Sequence, residues 1–234
     1  MKKARIFIVE DEALIVMELK DRLERLGHTV CGTAARGEDA AVVIPDSAPD
    51  LVLMDIKLSG AMDGIETARA VLERIDVPVV YLTAYSDEKV LERAAVRGPF
   101  GYLVKPVVER ELVAAIAMAL YRHSMEKRLR ESETLYRRLF EGAGDAILIL
   151  DTEGERAGRI VDANAAAAAM HGYAVDELRG MKIADLDTPA AAAEAPALIE
   201  RMLRGEWLKK ELDHRKKDGT VFPVEASAGL LELG

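Results

Sequence analysis

Residues 50–58 read DLVLMDIKL, and the fold turns on this stretch. Leu51, Val52, Leu53 and Met54 make a continuous apolar run of strand length, and it ends in a carboxylate, Asp55, which an apolar interior rejects unless something holds it. Runs of the same kind flank it: ARIFIV at 4–9, HTVCGTA at 28–34, PVVYLT at 78–83 and FGYLV at 100–104. Between them lie ALIVMELKDRLERLG, GEDAAVVIP, DGIETARAVLERI and DEKVLERAAVRG, in which apolar residues return at three- and four-residue spacing. Strands that are apolar throughout, alternating with amphipathic helices, predict an α/β fold with a doubly wound, five-stranded parallel sheet covered on both faces. In such a sheet ligands sit outside the carboxyl ends of the strands.

Those ends are polar here. Glu10 and Asp11 follow the first strand, Asp55 ends the third, Thr83 ends the fourth, and Lys105-Pro106 follows the fifth. Carboxylates gathered on one edge repel one another and raise one another's pKa unless a cation is present. A hard divalent cation suits them, and magnesium typically takes one or two carboxylates, several waters and phosphate oxygens. Lys105 as a point charge and the Thr83 hydroxyl as a donor supply what a phosphoryl group in transfer needs, and the Asp55 carboxylate is then the nucleophile, forming an aspartyl phosphate. Taken singly, each residue has a plainer explanation, as a strand-ending Thr, a solvated Lys or a helix-capping acid. Their coincidence on one edge favours the site.

In VEDE (with Glu10 and Asp11), LMD (Asp55), MDGIE (62–66), LTA (Thr83) and YLVKP (with Lys105), residues 1–122 resemble the receiver domain of two-component response regulators. The resemblance implies a flavodoxin-like receiver. Asp55 is then the phosphoacceptor, Asp11 a direct magnesium ligand, Glu10 a ligand acting largely through water, and the main-chain carbonyl of Lys57 a further ligand. Thr83 and Lys105 contact the phosphoryl oxygens, and Tyr102 is the aromatic that swings inward as Thr83 moves. Lys57 and Tyr85 hold the two positions that tune access of water to the aspartyl phosphate, which implies a long-lived phosphorylated state. A haloacid-dehalogenase-like phosphatase also uses an Asp nucleophile with magnesium, but it needs a second acid two residues on, where Lys57 stands.

From about Val107 to Phe140 the chain contains neither proline nor glycine, which predicts one long helix. Arg122, Leu129 and Tyr136 share one heptad position and Met125, Ser132 and Leu139 another, a moderately apolar seam that suits a dimeric coiled coil. His123 lacks the surroundings of a kinase phosphoacceptor histidine and is expected to be a solvated linker residue.

After Gly142 come DAILILD (145–151), IVDAN (160–164), an alanine-rich run, HGYAVDELRG, the helical TPAAAAEAPALIERMLRG and a hairpin turning at Lys217-Asp218-Gly219. These parts, from the Asp162-Ala163-Asn164 helix opening to the late Asp218-Gly219, resemble a PAS domain, an α+β module with an antiparallel sheet. The resemblance implies five strands, of which four can be counted, so the chain is expected to be a piece of something longer. A sensor histidine kinase whose catalytic region lies beyond residue 234 is the alternative. The expected domains are 1–122 (receiver), 107–140 (linker helix) and 141–234 (PAS). The ligand of the second domain stays unknown. His171 is expected in a turn and is set aside as a haem ligand, the lone Cys31 lies in the other domain, and the alanine runs at 165–169 and 190–195 are read as close helix packing.

The net charge of −9 argues against a nucleic-acid groove or an anionic membrane as partner. HRKKDG at 214–219 reads as a hairpin turn, and no basic helix-turn-helix follows the receiver. No run approaches transmembrane length, and a single cysteine permits no intrachain disulfide, so a cytoplasmic location is expected. The whole predicts phosphorelay signalling. A histidine kinase or phosphotransfer protein is the phosphodonor, the long helix carries the signal to the PAS module, and the chain is a homodimer.

Overall fold

The computed structural model describes residues 3–84, 100–152 and 154–231. It divides into two compact units, Met1–Arg130 and Glu131–Gly234. Among the described residues no helix is long and apolar enough to cross a membrane.

In the first unit, β1 (Arg5–Val9), α1 (Ala13–Arg25), β2 (Thr29–Ala34), α2 (Gly37–Ser47), β3 (Leu51–Asp55), α3 (Gly64–Leu72), β4 (Val79–Thr83) and β5 (Gly101–Val104) follow one another as the apolar pattern predicts. The helix expected in DEKVLERAAVRG, and Tyr85 with it, lies outside the described residues. All strand pairs are parallel, in the order β2-β1-β3-β4-β5. Asp55 belongs to β3 itself, facing Leu82 of β4 across the ladder.

The sheet is buried on both faces because alternate residues feed two separate cores. Phe7, Val9, Val52 and Met54 pack with Ile44 of α2 and with Ile65, Ala68 and Val71 of α3. Ile6, Ile8, Leu51 and Leu53 pack on the other side with Leu19 and Leu23 of α1. This second face is completed by Leu112, Ile116 and Ala119 from the first turns of α4 (Glu109–Glu141), a helix of 33 residues.

The MDGIE stretch shows how tightly the site edge is built. The Asp63 carboxylate accepts from Glu66 N (2.8 Å) and the Glu66 carboxylate from Asp63 N (3.0 Å), a capping box that fixes where α3 begins. Gly64 then lies so close to β3 that a Cβ would stand 1.9 Å from the Asp55 carbonyl oxygen, so only glycine lets the helix start there. His123, expected as a solvated residue, is instead half-buried. Its Nε2 lies 3.1 Å from Asp76, which also receives Arg130 at 2.7 Å, and its ring meets Phe100 edge-on at 5.5 Å.

Among the described residues the second unit holds β6 (Leu148–Leu150) paired antiparallel with β7 (Ile160–Ala163), a 3₁₀ turn (Gly154–Arg156), four α-helices, and an antiparallel hairpin of β8 (Leu208–Arg215) and β9 (Val221–Ala228). The helices are α5 (Ala165–His171), α6 (Val175–Leu178), α7 (Ile183–Leu186) and α8 (Pro189–Leu203). The hairpin turns where HRKKDG predicts, with Lys216 N donating to the Thr220 carbonyl. Asn164 is the hub of this unit. Fully buried, it accepts from Ile147 N and Ala167 N (both 2.9 Å) and donates to the carbonyls of Phe140 (3.0 Å) and Asp145 (2.9 Å), using all the capacity of its amide. It thereby caps α5 and ties the end of α4 to the strand that follows.

Two expectations change here. His171 is the buried last residue of α5, with Gly172 taking the left-handed cap position after it, so it does not lie in a turn. Ala167 and Ala168 are packed as expected, whereas none of the residues of α8 is fully buried, its alanines at 191, 192 and 195 being half-buried.

Candidate functional site

The carboxyl edge of the parallel sheet gathers the predicted side chains. Asp55 is 5% exposed at the end of β3, and Glu10, one residue past β1, is 1% exposed and held by its N–H to the Ala34 carbonyl at 3.0 Å. Lys105, just past β5, places Nζ 2.6 Å from Asp55 Oδ2 and 2.7 Å from Glu10 Oε2. The contact with Asp55 is a hydrogen bond. That with Glu10 is an equally close ion pair, so one ammonium serves two buried carboxylates. The peptide bond between Lys105 and Pro106 is cis.

Backbone donors orient the other oxygens. Glu12 N donates to Glu10 Oε1 (3.2 Å), Lys57 N to Asp55 Oδ1 (3.3 Å) and Ser59 N to Asp11 Oδ2 (3.1 Å). One carboxylate oxygen from each of Glu10, Asp11 and Asp55 falls within 4.8 Å of the others. Burial, reinforced by the charge of Asp55, pushes Glu10 above the ordinary carboxylate range despite the pull of Lys105. Burial alone would pull Lys105 down, but its bonds to Asp55 and Glu10 outweigh this and hold the ammonium above its usual value.

A hard cation fits this edge. The donors are carboxylate oxygens of three residues within 4.8 Å of one another, which share the single ammonium of Lys105.

The two residues expected to act as a switch lie on the neighbouring strands. The buried Thr83 hydroxyl donates to the Ala84 carbonyl at 3.1 Å, so it is turned along the chain and satisfied there. Tyr102 is half-buried on β5 and stacks on Tyr81 of β4, with ring centroids 5.9 Å apart. Burial raises both phenols, that of Tyr81 to about 12. Two participants escaped the sequence reading. The Ser59 N–H gives no signal in composition or periodicity, whereas the glycine of MDGIE, where a helix begins against a strand end, was a readable sign of Gly64.

Comparison with known proteins gives this geometry a context. Residues 6–117 match the family described as response regulator receiver domain, and residues 134–207 match a PAS domain family. The transcriptional regulatory protein PdtaR of Mycobacterium tuberculosis is 40% identical over 118 residues, covering 50% of this chain and 57% of PdtaR. The phyllosphere-induced regulator PhyR of Methylorubrum extorquens is 35% identical over 118 residues, covering 50% of this chain and 43% of PhyR. This chain thus spans about half the length of the curated relatives it matches. Among solved structures, the signal receiver domain of a modulated diguanylate cyclase from Desulfovibrio desulfuricans G20 superposes with a TM-score of 0.51 at 38% identity, covering 53% of this chain and 99% of that one.

Proposed function

Because the chain belongs to the response regulator receiver family, through a first domain that a PAS domain follows, we propose that it is a phosphorelay switch whose phosphoacceptor is Asp55. The observation that carries this reading is the ammonium of Lys105 lying 2.6 Å from Asp55 Oδ2 on an edge where three carboxylates converge. An Asp55 oxygen attacks the phosphorus of a donor, either a phosphohistidine on a histidine kinase or phosphotransfer protein, or a small acyl phosphate. The P–N or P–O bond of the donor breaks as the aspartyl phosphate forms. Glu10, Asp11, Asp55 and the main-chain carbonyl of Lys57 would hold magnesium, which when bound neutralises charge on the transferring group.

The chain's own residues do the rest. Lys105, already charged and held by two carboxylates, transfers its hydrogen bond from Asp55 to a phosphoryl oxygen. Thr83 gives up its bond to the Ala84 carbonyl, turns its hydroxyl toward the phosphoryl group and opens space that Tyr102 fills. That is a population shift between two packings, driven by the charge added at Asp55. The signal leaves through α4, whose first turns complete one core of the sheet. The proposed domains are a receiver at 1–122, a linker helix over 107–140 and a PAS domain at 141–234. Leu129, Tyr136 and Leu139 are 62%, 50% and 66% exposed along the linker, and they support a homodimer joined through this helix and the PAS domain.

Incubation with acetyl phosphate and magnesium, followed by intact mass measurement, should add one phosphoryl group to the wild-type chain and none to Asp55→Asn. Equal labelling of both would remove Asp55 from the reaction.

A further inference from the structure

Three polar side chains far apart in sequence are buried together in the second unit and play no part in the receiver chemistry: His171 (1% exposed), His214 (8%) and Asp187 (7%). They stand in series. His171 Nδ1 lies 2.9 Å from the Ala167 carbonyl, His171 Nε2 lies 2.9 Å from His214 Nδ1, and His214 Nε2 lies 3.4 Å from Asp187 Oδ1. Phe222 of β9 sits edge-on to both rings, at 5.5 Å and 6.3 Å, and shields them. Each contact uses a different atom, so the groups form a line and do not surround a point. A proton, rather than a metal ion, is what such a line binds.

Counting protons along it gives the inference. A carbonyl only accepts, so His171 Nδ1 must carry a proton. One more proton must lie between His171 Nε2 and His214 Nδ1. Two neutral imidazoles supply two protons in all, and both are now used. His214 Nε2 then faces the Asp187 carboxylate as a lone pair against an anion, a repulsive contact in a buried place. We propose that the second unit contains a proton-sensing element in which His171, His214 and Asp187 together bind a third proton, whose loss loosens the hairpin from α5.

The position of the line makes the proton structurally consequential. His171 ends α5, His214 lies in β8, and Asp187 follows α7 and pairs with His214 as an isolated antiparallel bridge. Burial lowers the proton affinity of His171, with the neighbouring His214 and Lys216 adding to it against the Ala167 bond. The other charges facing this site are few. Lys216 lies 5.2 Å over the Phe222 ring, and Lys217, whose N–H holds the His171 carbonyl, is paired through Nζ with Glu177 of α6 at 2.6 Å. Asp213 and Arg215 flank His214 in β8 and point to the opposite face.

The test is nitrogen-15 NMR of the histidine rings in the full chain. Three of the four ring nitrogens of His171 and His214 should be protonated on the acid side of neutrality, with the third proton leaving as pH rises. Amide exchange of the β8–β9 hairpin, corrected for intrinsic rates, should speed up over the same interval. In Asp187→Asn the amide supplies its own N–H to His214 Nε2, so two ring protons should persist throughout and the hairpin response should vanish. Two ring protons at every pH in the wild type overturn the proposal, as does a third proton that survives Asp187→Asn. Should the variant not fold, the wild-type proton count decides alone.

Discussion

At the end of β3 the carboxylates of Glu10, Asp11 and Asp55 converge on the ammonium of Lys105, whereas in the second unit Asp187 meets a pair of imidazoles. Both clusters are largely buried, yet they resolve their charge differently. The first gathers three carboxylates around one ammonium at the carboxyl edge of the sheet, where the proposed function seats a cation and a phosphoryl group. The second closes on itself once a single proton is added. On these proposals a cluster that one proton completes holds structure together, and one short of positive charge at an open sheet edge takes up a cation.

The largest effect that would break this contrast is expected at Lys105. Lys105→Met removes the cation shared by Asp55 and Glu10, and phosphoryl transfer from acetyl phosphate should slow by about 10²-fold or more, as when one donor to a developing oxyanion is lost. The second unit should not notice, so its histidine ring titration should be unchanged. A variant labelled at the wild-type rate would mean that Lys105 is a structural counter-ion and nothing more.

Next in size is a substitution in the second unit. Asn164→Ala leaves buried backbone groups at Phe140, Asp145, Ile147 and Ala167 without their partner, and should destabilise that unit by about 3 kcal/mol in chemical denaturation. Phosphorylation of Asp55 should continue. If the loss is below about 1 kcal/mol, water has replaced the amide and Asn164 is not the hub its bonding implies.

A smaller effect separates the clusters by what can replace their proton. The folded-state pKa of Glu10 is raised, so the metal-free site is stabilised on the acid side and that stability is lost as pH rises through the Glu10 titration. Magnesium needs the carboxylate ionised, so its affinity should fall as pH drops through the same interval, beginning at a higher pH than an ordinary glutamate would give. Saturating magnesium should therefore flatten the pH dependence of the first unit and leave that of the second untouched. Magnesium titrations at several pH values, with thermal unfolding of each unit followed separately, measure this. A magnesium affinity that is flat across the interval would remove Glu10 from the ligand set.

The two clusters also differed in how visible they were beforehand. Glu10, Asp11, Asp55, Thr83 and Lys105 each lie at or just past the end of an apolar run, so once the parallel sheet is inferred its topology carries them to one edge. His171 and His214 are 43 residues apart, and Asp187 lies between two helices. Their meeting depends on how the hairpin packs on α5, which no local pattern encodes. The same limit explains His123, whose partner Asp76 sits in the connection before β4 and gave no reason to expect a contact. The alanine run of α8 shows the converse. Small residues at helical spacing suggested close packing, but composition does not say how deeply a helix is buried.

The smallest expected effect concerns how long the first cluster keeps its modification. Lys57 lies two residues past Asp55, its N–H bound to Asp55 Oδ1 at 3.3 Å, and the resemblance to receiver domains implies that its side chain screens an aspartyl phosphate from water. Replacing it by a shorter amide keeps the backbone donor and shortens the screen. Lys57→Asn should therefore phosphorylate normally and lose the phosphoryl group a few times faster, an acceleration of about 1 kcal/mol or less in barrier. Phosphorylated protein freed of donor and sampled by intact mass over time gives the rate directly. An unchanged lifetime would mean that the Lys57 side chain does not screen the aspartyl phosphate, and its backbone N–H would then be its whole contribution.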